Sequence, residues 1–357
     1  MSALPWILDG VVALLLIGLA YRLLDTRDLF EATVLYIAFG LTLSLAWVRL
    51  GAADLALAEA ALGAGVTGAL FLNAYQRLAR RGEGRTDEES SGLTVVDDRV
   101  DEVSPAAALA SYGVWGLIAG GLAWVLVTLP ARDPILPVLV DAALEDAGVS
   151  NPITAVLLNF RAYDTLLEIV VLVAAMVGVW SLDRGSREFA RNPADLGDEP
   201  ILGALSRLVV PLAGLTAVYL TWTGAYATGG AFQAGALAAG AGVLLVAAGF
   251  MRPVTSAAPF TRALGVLALV VFTVVGLVSL FWTGLFLDYP PGAEYGLILL
   301  VEGALTVSIA VILVELFVDV PAIPEDDPGL RVLDPTGDPL GRVISPDGAF
   351  IRGAEEE

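Results

Sequence analysis

The 357-residue sequence contains no cysteine and no histidine. Their absence excludes disulfides, iron–sulfur clusters, thiolate or imidazole metal sites, and catalysis by a Ser/His or Cys/His pair. Lysine is absent as well, so all 19 basic residues are arginines, which keep their proton at physiological pH. A titrating step within the chain therefore falls to Asp or Glu, or less readily to Tyr. We predict no cofactor, no resident metal and no hydrolytic activity.

Charge is also scarce, because only 16% of the residues are charged while 57% are hydrophobic. A soluble protein of this size has about a quarter of its residues charged, so the composition predicts an all-α, multi-pass protein of the cell membrane. The net charge of −20 argues against nucleic acid and anionic lipid surfaces as direct partners. The first apolar run continues to Leu24 without a cleavage site, which predicts a retained anchor.

Nine apolar stretches have about the twenty residues that a membrane-spanning helix needs. No stretch carries the pattern of a broken helix, so we expect nine continuous spans. They are Leu4 to Leu24, Leu29 to Val48, Asp54 to Tyr75, Ala106 to Leu129, Asp164 to Ser181, Leu202 to Trp222, Ala231 to Met251, Leu264 to Phe286 and Tyr295 to Phe317.

Arginine placement predicts the orientation of these spans. With the N-terminus outside, sixteen arginines fall in inner segments and only Arg49, Arg132 and Arg161 fall in outer segments. Because cytoplasmic loops are rich in Arg and Lys, this asymmetry predicts that the N-terminus is outside and the C-terminus inside.

Polar segments divide the nine spans into groups of three, two and four. The segments 81–104, 184–200 and 319–357 are rich in charge, Gly and Pro, which predicts disordered, acidic cytoplasmic linkers and a disordered tail. The expected modules are therefore 1–80, 105–183 and 201–318. The stretch from Pro130 to Phe160 is too polar to span, and we expect it to lie along the outer surface.

Several ionisable side chains lie in the outer parts of the predicted spans and predict an outward-facing polar layer. A carboxylate inside the hydrocarbon needs a partner, water or a proton, and such residues commonly mark ion pathways. The candidates are Asp54, Glu59, Asp164, Glu168 and Glu302. Capping of a helix start is an alternative role for Asp54, and pairing with a neighbouring helix is an alternative for Glu59 and Glu302.

The motif "RAYDTLLE" places Arg161, Asp164, Thr165 and Glu168 at positions i, i+3, i+4 and i+7. On a continuous helix these residues share one face and form a polar stripe that leads inward. A surface ion pair between Arg161 and Asp164 is the alternative role for those two residues. Glu168 is harder to explain in this way, because it lies one or two turns inside the span.

The other features are assigned structural roles. Asp9, Glu31 and Glu315 are expected at the membrane interfaces. The stretches "ALGAGVTGAL" and "GGAFQAGALAAGAG" contain the small residues that let helices approach closely in lipid.

Three stretches resemble modules of Mrp-type multisubunit sodium/proton antiporters. "ADLALAEAALGAGVTGALFL" resembles a three-span module at the end of the large A-type polypeptide, and "NPITAVLLNFRAYDTLLE" resembles the module that follows it. Both also resemble small membrane subunits of energy-converting membrane-bound hydrogenases. "TGGAFQAGALAAGAGVLLVA" with "YGLILLVEGALTVSIAVILVELF" resembles the four-span B-type polypeptide. In place of the His, Asn and Pro of the B-type motif stand Ala225, Tyr226 and Thr228.

The resemblance implies a fused membrane subunit that couples inward proton movement to Na⁺ export, with Glu168 on the ion route. It matches Arg161, Asp164, Thr165 and Glu168 to the second module's motif and Asp54 to the first. In the B-like motif it implies packing or motif roles for Gly229, Gly230, Phe232, Gln233 and Gly235. It also implies partner subunits, including a large antiporter-like subunit, besides Na⁺, H⁺ and the lipid bilayer.

Two other readings stay open from the sequence. The same modules would serve as a passive membrane arm of a redox complex such as a membrane-bound hydrogenase. A scaffold in which every carboxylate is internally paired is the third possibility.

Overall fold

The computed structural model describes residues 4–82, 105–130, 135–182, 200–251 and 259–318. These residues fold into helices and connecting turns without a β-strand, which confirms the all-α class. The predicted linkers and tail lie, apart from their edges, outside the described residues. The helices are α1 Leu4–Asp25, α2 Leu29–Arg49, α3 Ala53–Ala58, α4 Thr67–Gly82, α5 Pro105–Thr128, α6 Ile135–Ala143, α7 Pro152–Ala155, α8 Ala162–Leu182, α9 Pro200–Thr223, α10 Ala231–Ala247, α11 Pro259–Thr283 and α12 Glu294–Val318.

Eight helical segments among the described residues are long and apolar enough to span a membrane. The ninth predicted span, α10, is shorter than these, with 17 residues that extend about 26 Å at 1.5 Å per residue. The loop Thr223–Gly230 precedes it. Gly230, at the end of that loop, has φ +113° and therefore a backbone conformation that favours glycine.

The third span is not a regular α-helix, which corrects the expectation of continuous spans. A π-helical segment, Glu59–Val66, joins α3 to α4. A second π-helical segment, Val156–Phe160, precedes α8 and ends at Arg161, whose φ of −130° and ψ of 35° interrupt the helix. π-helical turns inside helices often occur at functional sites, so the residues that pack against these two segments are of interest.

The core is built by the four C-terminal helices together with α8. Helix α12 packs against α10, α11, α9 and α8, and the first module contacts α10 through its π-helical segment. The largest fully buried side chains include Ile169, Phe272, Ile298, Leu305 and Ile309. By contrast, the window of α5 that would span the membrane buries none of its side chains within the chain. The C-terminal module therefore occupies the centre of the described structure.

Close helix contacts depend on small residues, as the Gly/Ala-rich stretches predict. A Cβ added at Gly235 of α10 would lie 2.7 Å from Cγ2 of Ile309 and 3.2 Å from the carbonyl oxygen of Thr306. In the first module, a Cβ added at Gly40 would lie 3.2 Å from Cβ of Ala64. These glycines allow backbone approach that any larger residue would prevent.

A hydroxyl group joins α11 to α12 inside the core. Oγ of Ser308 donates to the carbonyl oxygen of Leu264 at 2.8 Å and accepts from the amide of Ala268 at 2.8 Å. Leu264 and Ala268 are an i, i+4 pair, so the hydroxyl stands where a helical hydrogen bond would form. The Ser308 hydroxyl thus provides hydrogen-bond partners for the two backbone groups of α11 between which it lies.

We predict that Gly235→Val destabilises the protein by about 1–3 kcal/mol, because the added side chain collides with Ile309 and with backbone. Thermal unfolding of the purified protein measures the effect. Gly240→Val on the same helix is the matched control, since nothing lies within 4 Å of a Cβ added at Gly240. Equal unfolding temperatures of the two variants would contradict the proposed close contact.

Candidate functional site

The loop Thr223–Gly230 between α9 and α10 is the point where all three modules meet. Arginine placement predicts that this end of the bundle faces outwards, and we refer to it as the outer end. The loop folds back on α9, because the amides of Gly224 and Gly230 both donate to the carbonyl oxygen of Leu220, at 3.1 and 2.8 Å. Tyr226 and Ala227 are exposed, whereas Gly224, Ala225, Gly229 and Gly230 are buried. The loop therefore closes the outer end of the C-terminal module.

The second module holds this loop through its carbonyl oxygens. Nδ2 of Asn151 donates to Gly224 at 3.0 Å and to Ala227 at 2.9 Å, and Oγ1 of Thr154 donates to Gly224 at 2.6 Å. The amides of Ser150 and Asn151 both donate to the carbonyl oxygen of Ala225, at 2.9 and 3.0 Å. These hydrogen bonds satisfy backbone acceptors that would otherwise be buried without a partner.

The local sequence explains why Asn151 is in position. Asn151 caps α7, with its side-chain oxygen accepting from the amide of Ile153 at 3.0 Å, and Pro152 follows at the first helical position. Capping fixes the side chain, so its amide group points to the loop. Both Asn151 and Thr154 are buried, at 5% exposure each. Within the stretch that is predicted to lie along the outer surface, α6 is exposed, whereas Asn151 and Thr154 pack against the rest of the chain.

The first module reaches the same loop through Asp54. Oδ1 of Asp54 accepts from the amide of Gly229 at 3.0 Å, and its carbonyl oxygen accepts from Nε2 of Gln233 at 3.3 Å. No side-chain cap is formed at the start of α3, so Asp54 acts between modules rather than as a helix cap. The predicted motif residues Asp54, Gly229 and Gln233 therefore come together although they are far apart in sequence.

Glu302 of α12 lies directly beneath the loop. Its side chain is 2% exposed, and Oε2 has no hydrogen-bond partner among the described residues. A Cβ added at Gly224 would lie 3.2 Å from Oε1 of Glu302 and 2.7 Å from Cα of Gly230. A Cβ added at Gly230 would lie 3.4 Å from Oε1 of Gln233 and 3.5 Å from Oε1 of Glu302. The loop can therefore lie this close to the carboxylate because positions 224 and 230 are glycines.

The motif "RAYDTLLE" does not form the predicted polar stripe. Arg161 precedes α8 and pairs with Asp164 at 2.5 Å, as the alternative role predicted. Thr165 is buried and donates through Oγ1 to the carbonyl oxygen of Leu157 at 2.6 Å. Glu168 is exposed and has no hydrogen bond to another described residue. Arg161 lies before α8, whereas Asp164, Thr165 and Glu168 keep their predicted spacing within it. Because Thr165 is buried and Glu168 is exposed, the two side chains have different surroundings.

The remaining predicted residues have structural environments. The carboxylate of Glu59 folds back over Gly63 within the π-helical segment. Phe232 packs against the core and Gly235 against Ile309. Asp9 pairs with Arg49 at 2.8 Å, and Glu31 pairs with Arg22 at 2.6 Å.

Glu315, predicted at a membrane interface, lies close to the inner end of α12 and is buried by neighbouring helices. It is 4% exposed, and its Oε2 accepts from Nε1 of Trp180 at 3.2 Å. The guanidinium of Arg262 lies over the Trp180 ring at 5.0 Å. These three residues join α8, α11 and α12 at the inner end of the bundle.

Sequence reasoning missed the anchoring residues of the loop. Asn151 and Thr154 lie in "NPITA", where Asn followed by Pro is a signal for a helix start but not for a long-range contact. Tyr289 was also missed, and its hydroxyl donates to the carbonyl oxygen of Leu158 at 2.7 Å. Burial raises the pKa of Tyr289, so the hydroxyl keeps its proton and its donor role.

Acidic residues do not cluster as a metal site would require. Within the described ranges, no group of three or more Asp or Glu residues is arranged to hold a metal ion. The candidate site therefore contains separate carboxylates at different positions along the helices, not a cluster of them.

Three family models match successive parts of the chain. Residues 14–80 match MbhD, the family of the D-type MBH subunits, and residues 107–195 match MbhE, the family of the E-type MBH subunits. Residues 201–320 match MnhB, a domain related to the MnhB subunit of Na⁺/H⁺ antiporter. The chain therefore contains, in this order, regions similar to MbhD, MbhE and MnhB.

The chain is also similar to two longer proteins. The probable A/B-type polypeptide of a K(+)/H(+) antiporter from Rhizobium meliloti (strain 1021) is 27% identical over 257 residues, which cover 65% of this chain and 24% of that protein. A chain in the structure of the Mrp complex from Dietzia sp. DQ12-45-1b matches with a TM-score of 0.67 and 23% identity, over 88% of this chain and 35% of that chain. This structural likeness supports the fold, and the chain spans about a quarter to a third of these relatives.

We predict that Asn151→Ala lowers the free energy of unfolding by about 2–3 kcal/mol, since it leaves two buried carbonyl contacts and a helix cap unmade. Denaturant or thermal unfolding measures the change. Asn159→Ala is the control from the same segment, because Asn159 makes one hydrogen bond, at 3.2 Å to the carbonyl oxygen of Ala147. A loss for Asn151→Ala no larger than for Asn159→Ala would contradict an anchoring role.

Proposed function

We propose, from the premise that the chain is a fusion of MbhD-, MbhE- and MnhB-type domains, that it is a membrane subunit of a multisubunit cation/proton antiporter of the cell membrane. The exported ion is Na⁺, and inward movement of protons drives the export. The chain's similarity to a polypeptide of a probable K(+)/H(+) antiporter supports the antiporter class and makes K⁺ the first ion to compare with Na⁺.

The position of Glu168 is the observation on which this proposal rests. It lies about 9 Å along α8 from the first residue of that helix, and its side chain is exposed together with those of Leu167 and Val171. An ionised carboxylate that faces hydrocarbon costs several kcal/mol, so the exposed face needs a partner subunit, water or an ion. A half-channel between this face and a partner subunit supplies the partner, the water and the ion.

Partner subunits are required for a second reason. The spanning window of α5 buries none of its side chains against the rest of the chain. Its exposed face includes Tyr112, Trp115, Leu117 and Trp124. Helices in membranes associate through close packing, and such a face is suited to a neighbouring subunit. The large antiporter-like subunit is the partner we infer, and the chain alone is expected to be inactive.

The ion pathway that we propose enters at the outer end and uses the carboxylates at several depths. Glu168 is the principal ion-exchanging group, and Asp164, Arg161 and Thr165 position the start of its helix. Asp54, Glu59 and Glu302 belong to the same outer layer in the first and third modules.

A second candidate function is favoured by the two MBH domain families. In that case the chain would be a passive membrane-arm subunit of a redox complex. The presence or absence of Na⁺-dependent proton transport separates the two candidates.

We predict that Glu168→Gln abolishes at least nine-tenths of Na⁺-driven pH change in inverted vesicles that carry the complete complex, because the neutral amide binds neither a proton nor a cation. Parallel assays with K⁺ identify the ion. Glu145→Gln is the control, since Glu145 is exposed on the short helical turn that follows α6 and outside the spans.

Native gels check that each variant assembles. Unchanged transport by an assembled Glu168→Gln complex would refute the role of Glu168. Failure of the wild-type complex to exchange either cation for protons would refute the antiporter function and favour the redox arm.

A further inference from the structure

Glu302 forms no ion pair within the described part of the chain. It lies about 12 Å along α12 from Glu294, at 2% exposure, and its Oε2 is enclosed without a hydrogen-bond partner among the described residues. An ionised carboxylate in such a place is strongly disfavoured, whereas the protonated acid is neutral. The position therefore calls for a positively charged ligand, either a metal cation or a proton.

The loop above Glu302 does not offer the oxygen ligands that a metal cation needs. The carbonyl oxygen of Leu220 already accepts two amide hydrogen bonds, and that of Gly224 accepts from both Asn151 and Thr154. The carbonyl oxygen of Ala225 likewise accepts two amide hydrogen bonds. Besides the carboxylate, the side-chain oxygen that faces the same glycine is Oε1 of Gln233. Two such oxygens are too few for a Na⁺ site, since hard cations take about six oxygen ligands.

Basic residues on the packed helices are also too far away to pair with Glu302. Arg207 of α9 lies about 25 Å along that helix from Gly224. Arg262 of α11 lies over Trp180 at the inner end. Among the side chains that the structure describes, the other titratable groups on helices that pack against α12 are acidic or phenolic: Asp164, Glu168 and Tyr163 of α8, Tyr219 of α9 and Tyr75 of α4. Near the loop lie Asp54, which accepts from the amide of Gly229, and the exposed Tyr226.

We propose that Glu302 is a proton-binding site of the MnhB-type module, covered by the Thr223–Gly230 loop and separate from Glu168. The proton comes from water at the outer end, bonds to a carboxylate oxygen of Glu302 and is released to water when the loop opens. This inference rests on the proposed function only for the claim that the bound proton takes part in transport.

The glycines of the loop explain how a proton reaches so buried a group. Gly224 and Gly230 place bare backbone beside the carboxylate, whereas Tyr226 and Ala227 of the same loop are exposed. A single layer of backbone thus separates Glu302 from the outer end. Since Asn151 and Thr154 hold that layer in place, the second module controls access to a site in the third.

Infrared spectroscopy of the complete complex in H₂O and D₂O tests the proposal, because a protonated carboxyl has a C=O band that shifts in D₂O. At neutral pH the wild type and Glu145→Gln should have this band, and Glu302→Gln should lose it. Its persistence in Glu302→Gln, or its absence from the wild type, would overturn the proposal. Disappearance of the wild-type band on addition of Na⁺ would identify a metal-cation site instead and would also overturn it.

Asn151→Ala keeps the test decisive if Glu302→Gln fails to assemble. This variant leaves Glu302 in place and loosens the loop, so the band should be weaker at neutral pH and exchange with D₂O faster than in the wild type. An identical band and exchange rate would contradict the role of the loop. A wild-type complex that has the band but does not exchange cations for protons would remove the proposed antiport and leave the proton site intact.

Discussion

The structure depends on the need to satisfy the backbone of the Thr223–Gly230 loop inside an apolar bundle. A helix satisfies its own amides and carbonyls, but a loop at the end of a short span does not. Here the carbonyl oxygen of Leu220 accepts hydrogen bonds from two amides of the loop. Asn151, Thr154 and Ser150 donate hydrogen bonds to the carbonyl oxygens of the loop. Asp54 accepts a further amide, that of Gly229. Because the donors and acceptors come from all three modules, the loop makes the modules depend on one another.

This arrangement gives different roles to the two most distinctive carboxylates. Glu168 lies on an open helix face, so its surroundings are completed by whatever partner covers α8. Glu302 lies within the chain and is buried by the chain's own residues. The loop and α12, which also packs against α8, connect the two regions.

Sequence reasoning predicted the helical class and the positions of the long apolar helices, because hydrophobic length is a property of local sequence. It identified Asp54, Gly229 and Gln233 as motif residues, but their hydrogen bonds with one another depend on tertiary packing. Arg161 was expected on the same continuous helix as Asp164 and Glu168, and the π-helical turn that places it before α8 has no clear sequence signal. Asn151 escaped notice for a related reason: "NPITA" marks a helix start, and nothing in it indicates a partner more than seventy residues away.

The most direct test of this account is hydrogen exchange of the loop amides in the assembled complex. The account predicts slow exchange for the amides of Gly224, Tyr226, Ala227, Gly229 and Gly230, each of which donates to an acceptor in the structure. It also predicts that Asn151→Ala accelerates this exchange across the loop. Exchange of the wild-type loop at the rate of an unprotected peptide would contradict the central claim that three modules meet at a fixed loop.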